Sequence, residues 1–121
     1  PNIHIADMVE VYMVLIRSPK EKIAGKIYNA GYEYQSVKKI AETVKNVVGD
    51  DVELVISHSD DNRSYHISSK KIQIELGFEA KHTIRDAVED LCQAFDKNLL
   101  PNSLDDEIYF NIKRMQSVNL V

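Results

Sequence analysis

Cysteine is almost missing from this sequence. The only one, Cys92, excludes a disulfide within the chain and indicates a reducing, cytoplasmic setting. We expect its side chain to be a small buried hydrophobic group. Long apolar runs are missing too. The longest, residues 11–16, is far too short to cross a bilayer, and no signal-like segment precedes it, so we expect no membrane partner.

Runs of lysine and arginine are also missing. The chain has 15 basic and 19 acidic residues, a net charge of -4 and a pI near 5.5. A nucleic-acid partner is therefore not expected, and an anionic ligand needs a local positive site. With 121 residues, 44% of them hydrophobic and 28% charged, the sequence is typical of one globular domain. We predict that this domain spans residues 1–121, with residues 102–121 packed on it as a tail.

Motifs that bind nucleotide cofactors or metals are likewise missing. The sequence contains neither the Gly-x-Gly-x-x-Gly pattern nor a Walker phosphate loop. Its histidines lack the spacing of zinc ligands, and a single cysteine adds little to them. They are His4, His58, His66 and His82. We therefore expect this chain alone to bind no cofactor and no metal.

The sequence does contain an alternation of short strand-like and helical patterns. The strand-like stretches are residues 2–5, 26–29 and 52–56. Their alternation with about four helices favours an α/β fold. So few strands leave two arrangements open, either a compact α+β layer or a sheet completed by sequence outside this chain. Because the chain opens within a strand pattern and has no initiator methionine, we expect a fragment of a longer protein.

The first predicted helix covers residues 8–16. A pair that resembles a capping box, Asp7 and Glu10, precedes its apolar positions, and we interpret Asp7 as its cap. Apolar residues then follow nearly all round the helix. We therefore expect this helix to be deeply buried.

Three further helices are predicted from capping residues and apolar spacing. The second runs from an N-cap at Ser36 to Gly49, the third from an N-cap at Ser68 to Gly77, and the fourth follows the cap Thr83. The fourth carries a stripe at three- and four-residue steps that we predict to be core. Its members are Ile84, Ala87, Val88, Leu91, Cys92 and Phe95.

A polar loop precedes the third helix and carries one basic residue, Arg63. A guanidinium offers a planar fork of donors that matches phosphate or carboxylate oxygens. We predict that Arg63 binds an anionic ligand, with Asn62 and Tyr65 beside it in the binding site. The alternative is a solvated ion pair of Arg63 with Asp60 or Asp61.

Four segments of the chain carry a family resemblance. Residues 2–7 read Asn-Ile-His-Ile-Ala-Asp, and residues 28–31 read Tyr-Asn-Ala-Gly, with a Ser-Val pair at 36–37. Residues 63–78 begin Arg-Ser-Tyr-His-Ile-Ser-Ser-Lys-Lys-Ile and end Glu-Leu-Gly-Phe, and residues 81–88 begin Lys-His-Thr-Ile and end Ala-Val. In this order and spacing they resemble the C-terminal part of the extended short-chain dehydrogenase/reductases, the NAD-dependent nucleotide-sugar epimerases and dehydratases. The resemblance covers most of the chain, up to about the end of the fourth predicted helix.

The resemblance implies that the chain is the small mixed α/β, nucleotide-sugar-binding portion of a two-part enzyme. In that family an N-terminal Rossmann part supplies the NAD loop and the catalytic serine or threonine, tyrosine and lysine. The fragment alone is therefore expected to be inactive. NAD takes a hydride from C4 of the sugar, and the keto intermediate is then reduced on the other face or loses water. The resemblance also implies that Arg63 lies near the diphosphate.

The implied partners are a nucleotide-diphosphate sugar, the Rossmann part and, in the full-length enzyme, a second copy in a homodimer. The resemblance covers epimerases and dehydratases alike, and it is compatible with any nucleotide and sugar. A hypothesis from another class remains beside it. In that hypothesis the chain is a free-standing, non-enzymatic α/β module that binds a small anion or a protein partner.

Overall fold

The computed structural model describes residues 2–57 and 66–120. These residues form six α-helices and one 3-10 helix. In chain order they are α1 (Ile5–Arg17), α2 (Lys20–Ile23), α3 (Val37–Val48), α4 (Lys70–Leu76), α5 (Ile84–Asp96), the 3-10 helix (Glu107–Tyr109) and α6 (Asn111–Ser117). No helix among the described residues has both the length and the apolar character needed to span a membrane. The chain divides into two compact units, Pro1–Asp90 and Leu91–Val121.

The predicted α/β fold is wrong for the described part of the chain, which is helical and contains no sheet. Its one strand-like pairing is an isolated antiparallel bridge between Asn2 and Glu33. Residues 26–29 and 52–56, predicted as strands, adopt neither helix nor strand, and the side chain of Ile56 is exposed. A strand is stable beside a neighbour that accepts and donates its backbone hydrogen bonds. The described residues place no such neighbour beside these two stretches.

Helix α1 begins one turn earlier than the sequence predicts. Its N-cap is His4, whose Nδ1 accepts a hydrogen bond from the Ala6 N–H at 3.1 Å. Ile5 is therefore the first helical residue and not the end of a strand. Asp7 lies inside the first turn, so the prediction that it caps this helix is wrong. Its carboxylate is instead engaged by a distant segment of the chain.

The prediction that α1 is deeply buried is also wrong. One side of the helix is buried at Asp7 and Val11, but the opposite side carries an apolar stripe that is 54–76% exposed. The stripe consists of Ile5, Val9, Tyr12 and Ile16. Spacings of four, three and four residues place these side chains on one face of the helix. Among the described residues, only the face that carries Val11 has a packing partner sufficient to bury it.

Helix α3 matches its prediction at both ends. Ser36 is the N-cap, and its hydroxyl accepts a hydrogen bond from the Lys39 N–H at 3.2 Å. Gly49 is the C-cap, with a φ of 143°, a backbone conformation that side chains with a Cβ rarely adopt. The local capping signals were therefore sufficient to fix this helix.

Helix α4 starts later than predicted but ends where predicted. The N-cap position is Ser69 and not Ser68, and the Ser69 side chain makes no capping hydrogen bond. Gly77 ends the helix in the left-handed conformation, with a φ of 71°. The hydroxyl of Ser69 is free of the helix because it bonds to another segment, described below.

The core of the Pro1–Asp90 unit is small. Val11 of α1, Ile72 of α4 and Phe78, which follows α4, form its buried cluster. Partly buried apolar residues surround them, and they are Ile3, Val14, Leu15, Tyr28, Ala30, Leu76 and Ala80. Helix α4, only seven residues long, therefore holds its place mainly through Ile72 and its immediate neighbours.

Helix α5 has the predicted cap. The Thr83 hydroxyl accepts a hydrogen bond from the Asp86 N–H at 3.2 Å, and Asp86 Oδ2 accepts in return from the Thr83 N–H at 2.7 Å. The hydrogen bond from the Thr83 N–H holds the pKa of Asp86 below its ordinary value. The predicted core stripe is only partly buried: Val88 is buried and Cys92 is half-buried, whereas the side chains of Leu91 and Phe95 are exposed.

The Leu91–Val121 unit contains the end of α5, the 3-10 helix and α6. Asp106 caps the 3-10 helix by accepting a hydrogen bond from the Ile108 N–H at 3.0 Å. Within this unit the carboxylate of Glu107 accepts hydrogen bonds from Arg114 Nη1 at 2.7 Å and from the Ser117 hydroxyl at 2.8 Å. These contacts join α6 to the 3-10 helix.

Candidate functional site

The three residues predicted to bind substrate, Arg63, Asn62 and Tyr65, lie outside the described residues, so their role stays a prediction. The described chain resumes at His66, directly after them. By sequence position, residues 66–78 belong to the same segment, 63–78. Their contacts show how the chain is held where the described chain resumes after the predicted loop.

Residues 66–69 are held against residues 31–34. The ring of His66 stacks on the ring of Tyr34 with centroids 5.0 Å apart, and the Tyr34 hydroxyl donates a hydrogen bond to the Ile67 carbonyl. The Ser69 hydroxyl accepts from the Gly31 N–H and donates to the Gly31 carbonyl, both at 2.9 Å. One side chain thus satisfies both backbone groups of Gly31.

A cluster of charged and polar groups joins α4 to residues 26–28. Glu75 Oε2 accepts hydrogen bonds from Lys26 Nζ at 2.7 Å and from the Tyr28 hydroxyl at 2.9 Å. Lys71 Nζ lies 4.9 Å from the centre of the Tyr28 ring and donates to the Ile27 carbonyl at 2.8 Å. The hydrogen bond from Lys26 is the main reason that the pKa of Glu75 falls below its ordinary value.

Asp7 is a buried carboxylate that hydrogen-bonds α1 to the segment that leads into α5. Its side chain is engaged by three donors: the backbone N–H groups of Lys81 at 3.0 Å and of His82 at 2.9 Å, both to Oδ2, and His82 Nδ1 at 2.8 Å from Oδ1. Because an ionised carboxylate can only accept, Nδ1 of His82 carries the proton of this bond. Burial by itself raises the pKa of Asp7, but the hydrogen bonds from His82 and Lys81 outweigh it and hold the pKa below its ordinary value.

His4 lies beside the Asp7–His82 contact. Its ring stacks on the ring of His82 with centroids 4.8 Å apart. Because Nδ1 accepts from the Ala6 N–H, the neutral ring carries its proton on Nε2, which lies 3.3 Å from Asp90 Oδ2. The imidazole is therefore fixed on both edges, and both of its nitrogens are used in structural contacts.

Glu33 likewise connects distant segments, residue 2 and the start of α5, through hydrogen bonds. Its backbone carbonyl accepts from the Asn2 N–H at 2.9 Å, and the Asn2 carbonyl accepts from the Tyr32 N–H at 2.8 Å. The Glu33 carboxylate also accepts from the N–H of Ile84, the first residue of α5, at 2.6 Å, and from Gln35 Nε2 at 3.3 Å. A carboxylate near a helix N-terminus is favourably placed for the helix dipole.

An open cavity of about 320 Å³ borders this framework. Its lining consists of Gly31, Tyr32, Ser69, Gln73, Phe78, Glu79 and Ala80. All of these residues belong to the Pro1–Asp90 unit. Through Ser69 the cavity adjoins the segment 66–69, which follows the predicted binding loop in the sequence. Within the described residues, no group of three or more histidine, cysteine, aspartate or glutamate side chains is arranged to hold a metal ion.

The long-range hydrogen bonds of Asp7 and Glu33 were not predicted from the sequence. Asp7 was assigned to a local helix cap, and Glu33 was given no role. The signal that could have found the first of them is the pair of segments at 2–7 and 81–88 that carry the resemblance, each of which contains one partner of the Asp7–His82 contact. No rule of sequence spacing joins residues that far apart.

Comparison with known proteins adds no relative to this description. No family model, no curated protein and no solved structure matches the chain.

Proposed function

We propose that this chain is the nucleotide-sugar-binding portion of an NAD-dependent epimerase or dehydratase that transiently oxidises the sugar at C4. In this proposal the chain supplies binding and orientation of the nucleotide-sugar. The residues that bind NAD and exchange protons belong to another part of the enzyme, because this sequence contains no NAD loop. The chain on its own is inactive.

The observation that carries the proposal is that the four segments with the family resemblance are hydrogen-bonded in two pairs. Segment 2–7 contacts segment 81–88 through Asp7 and His82. Segment 28–31 contacts the described part of segment 63–78 through Gly31 and Ser69 and through Tyr28 and Glu75. Such contacts between segments that are distant in the sequence are what a shared binding framework requires.

Arg63 is the residue proposed to bind the diphosphate. It lies within the polar stretch 57–64 that precedes α4 and is the one arginine there. A bidentate guanidinium fits two phosphate oxygens and holds them in one orientation, so the sugar is presented in one pose. The net charge of -4 makes such a local donor necessary for a dianionic ligand.

Calorimetric titration of the 121-residue chain tests the proposal. The ligands are UDP-glucose, dTDP-glucose, GDP-mannose and NAD. We expect at least one nucleotide-sugar to bind and NAD not to bind. Arg63→Ala is expected to weaken nucleotide-sugar binding about ten- to hundredfold, the range for a lost charge-assisted hydrogen bond. Arg17→Ala, an exposed arginine at the end of α1, is the matched control and is expected to bind like the parent.

Two outcomes would contradict the proposal. If the folded parent binds none of the three nucleotide-sugars, the chain is not a nucleotide-sugar-binding portion. If Arg63→Ala and Arg17→Ala bind equally well, Arg63 is not the diphosphate ligand. The coding sequence upstream of Pro1 gives an independent check, because a Rossmann fingerprint and a Tyr-x-x-x-Lys pattern are expected there.

The non-enzymatic alternative also has an observation in its favour. The exposed stripe Ile5, Val9, Tyr12 and Ile16 on α1 is a surface of the kind that protein partners cover. A start codon immediately before Pro1, together with no nucleotide-sugar binding, would support this alternative. Nucleotide-sugar binding that depends on Arg63 would exclude it.

A further inference from the structure

The cavity beside Ser69 has a lining of mixed character. Tyr32 and Phe78 give it aromatic surface, and the Tyr32 side chain is 43% exposed whereas Phe78 is buried. Gln73 and Glu79 give it polar groups, and Gln73 Nε2 donates a hydrogen bond to Glu79 Oε1. A volume of about 320 Å³ is at the lower end of the range for small-molecule sites.

Hydrogen-bond acceptors dominate the polar part of this lining. Within the described residues, the second carboxylate oxygen of Glu79 and the side-chain oxygen of Gln73 have no hydrogen-bond partner. The Ser69 hydroxyl is already committed to Gly31 in both directions. Glu79 and Gln73 can therefore accept hydrogen bonds from the donors of a ligand that fills the cavity.

The charge of the described lining is unfavourable for the phosphate end of a nucleotide. Among the lining residues that the structure describes, Glu79 is the one charged side chain, and no lysine, arginine or histidine accompanies it. A phosphate placed here would face a like charge with no cation to offset it. A neutral ring that carries hydroxyl groups matches the cavity better, because its hydroxyls donate to the two acceptors and its C–H face packs against an aromatic side chain.

We propose that this cavity binds the uncharged, hydroxyl-bearing sugar ring of the nucleotide-sugar, with Tyr32 as the packing surface and Glu79 and Gln73 as the hydroxyl acceptors. The inference rests on the proposed function and deepens it. It divides the ligand between two places: the diphosphate belongs to Arg63, and the sugar ring belongs to the cavity. The predicted loop that carries Arg63 is followed in the sequence by His66, three residues before Ser69, which lines the cavity.

The experiment compares each nucleotide-sugar with its own nucleoside diphosphate. The 121-residue chain is titrated with UDP-glucose and UDP, dTDP-glucose and dTDP, and GDP-mannose and GDP. Tyr32→Ala and Glu79→Gln are each expected to weaken binding of the sugar form about three- to tenfold and to change binding of the diphosphate by less than about twofold. Tyr12→Ala, which changes another exposed tyrosine, on α1, is the control and leaves both affinities unchanged. Thermal melting of each variant confirms that it is folded.

The outcomes separate this inference from the proposed function. If the parent binds a sugar form and its diphosphate, and Tyr32→Ala and Glu79→Gln weaken neither or both equally, the cavity is not the sugar site and the proposed function stands. If the parent binds neither form, both fail. A parent that binds the sugar form more tightly than the diphosphate, with the difference lost in Tyr32→Ala, establishes the division of the ligand.

Discussion

Asp7 and His82 are joined by two hydrogen bonds although 75 residues separate them in the sequence. Oδ1 of Asp7 lies 2.8 Å from Nδ1 of His82, and Oδ2 accepts the His82 backbone N–H at 2.9 Å. Asp7 is only 3% exposed, so its charge is removed from water and is compensated by these donors and by the Lys81 N–H. The contact fixes the approach of the chain to α5 relative to the first turn of α1.

Asp7→Asn is expected to destabilise the Pro1–Asp90 unit by about 2 to 4 kcal/mol. The amide keeps one acceptor, but its NH₂ group faces N–H donors that then lack a partner in a buried place. The free energy of unfolding from urea titration at pH 7 measures the effect. Asp50→Asn, at an exposed turn, is the control and is expected to change this free energy by less than about 0.5 kcal/mol. Equal effects of the two substitutions would contradict the assigned role of Asp7.

Low pH is expected to remove the contribution of Asp7 to the free energy of unfolding. Its pKa in the folded chain lies below the ordinary value of 3.8, so the unfolded chain takes up the proton first as the pH falls. The stabilisation from Asp7 is therefore complete above about pH 5 and is lost as the pH falls through the folded pKa, with a limiting slope of about 1.4 kcal/mol per pH unit. Urea titrations of the parent and of Asp7→Asn between pH 7 and pH 2.5 should show the difference in their unfolding free energies shrinking on the acid side. A difference that is independent of pH would show that the carboxylate is not the stabilising species.

The sequence predicted those features that depend on neighbouring residues alone. Ser36, Gly49, Gly77 and Thr83 mark helix ends where the sequence places them, because each acts on the backbone within four residues. The strands at 26–29 and 52–56 failed because their apolar patterns specify a strand only in the presence of a pairing partner. The described residues place none beside them.

The candidate site was less predictable than the helices. Arg63 and its neighbours were chosen from a local pattern and lie outside the described residues. The cavity next to them is formed by residues from two segments, 31–32 and 69–80, and no local pattern brings those segments together. Asp7 shows the same limit, since its sequence surroundings indicate a helix cap and its partners are in a distant segment.

Helix α4 offers a test of how far one side chain supports the core. Ile72 is 0% exposed and lies in the buried cluster, whereas Ile74 on the same helix is 79% exposed. Ile72→Ala is expected to lower the free energy of unfolding by about 2 to 5 kcal/mol because it leaves a cavity next to Val11 and Phe78. Ile74→Ala, the same change on the same helix, is expected to stay within about 0.5 kcal/mol of the parent. Chemical denaturation measures both, and similar losses for the two would contradict the described packing.

Ser68 and Ser69 are adjacent, but Ser69 makes a tertiary contact, to Gly31, whereas Ser68 makes a local one, to Lys70. Substituting each in turn distinguishes the energies of the two contacts. Ser69→Ala removes two hydrogen bonds to Gly31, each 2.9 Å long, and leaves both backbone groups of a half-buried residue without that partner. We expect a loss of about 1 to 3 kcal/mol in the free energy of unfolding. Ser68→Ala removes only a 3.4 Å contact to the Lys70 N–H and is expected to cost less than about 0.5 kcal/mol.

Ser69→Thr keeps the hydroxyl and is expected to recover most of the stability that Ser69→Ala loses. Ser69 also lines the cavity, and the segment 66–69 follows the predicted binding loop in the sequence. Ser69→Ala is expected to loosen this segment and therefore to weaken nucleotide-sugar binding as well. Amide hydrogen exchange at Gly31 reports the contact directly: its N–H should exchange faster in Ser69→Ala than in the parent, and at the parent rate in Ser68→Ala. Unchanged exchange in Ser69→Ala would mean that the Gly31 N–H is protected by something other than this hydroxyl.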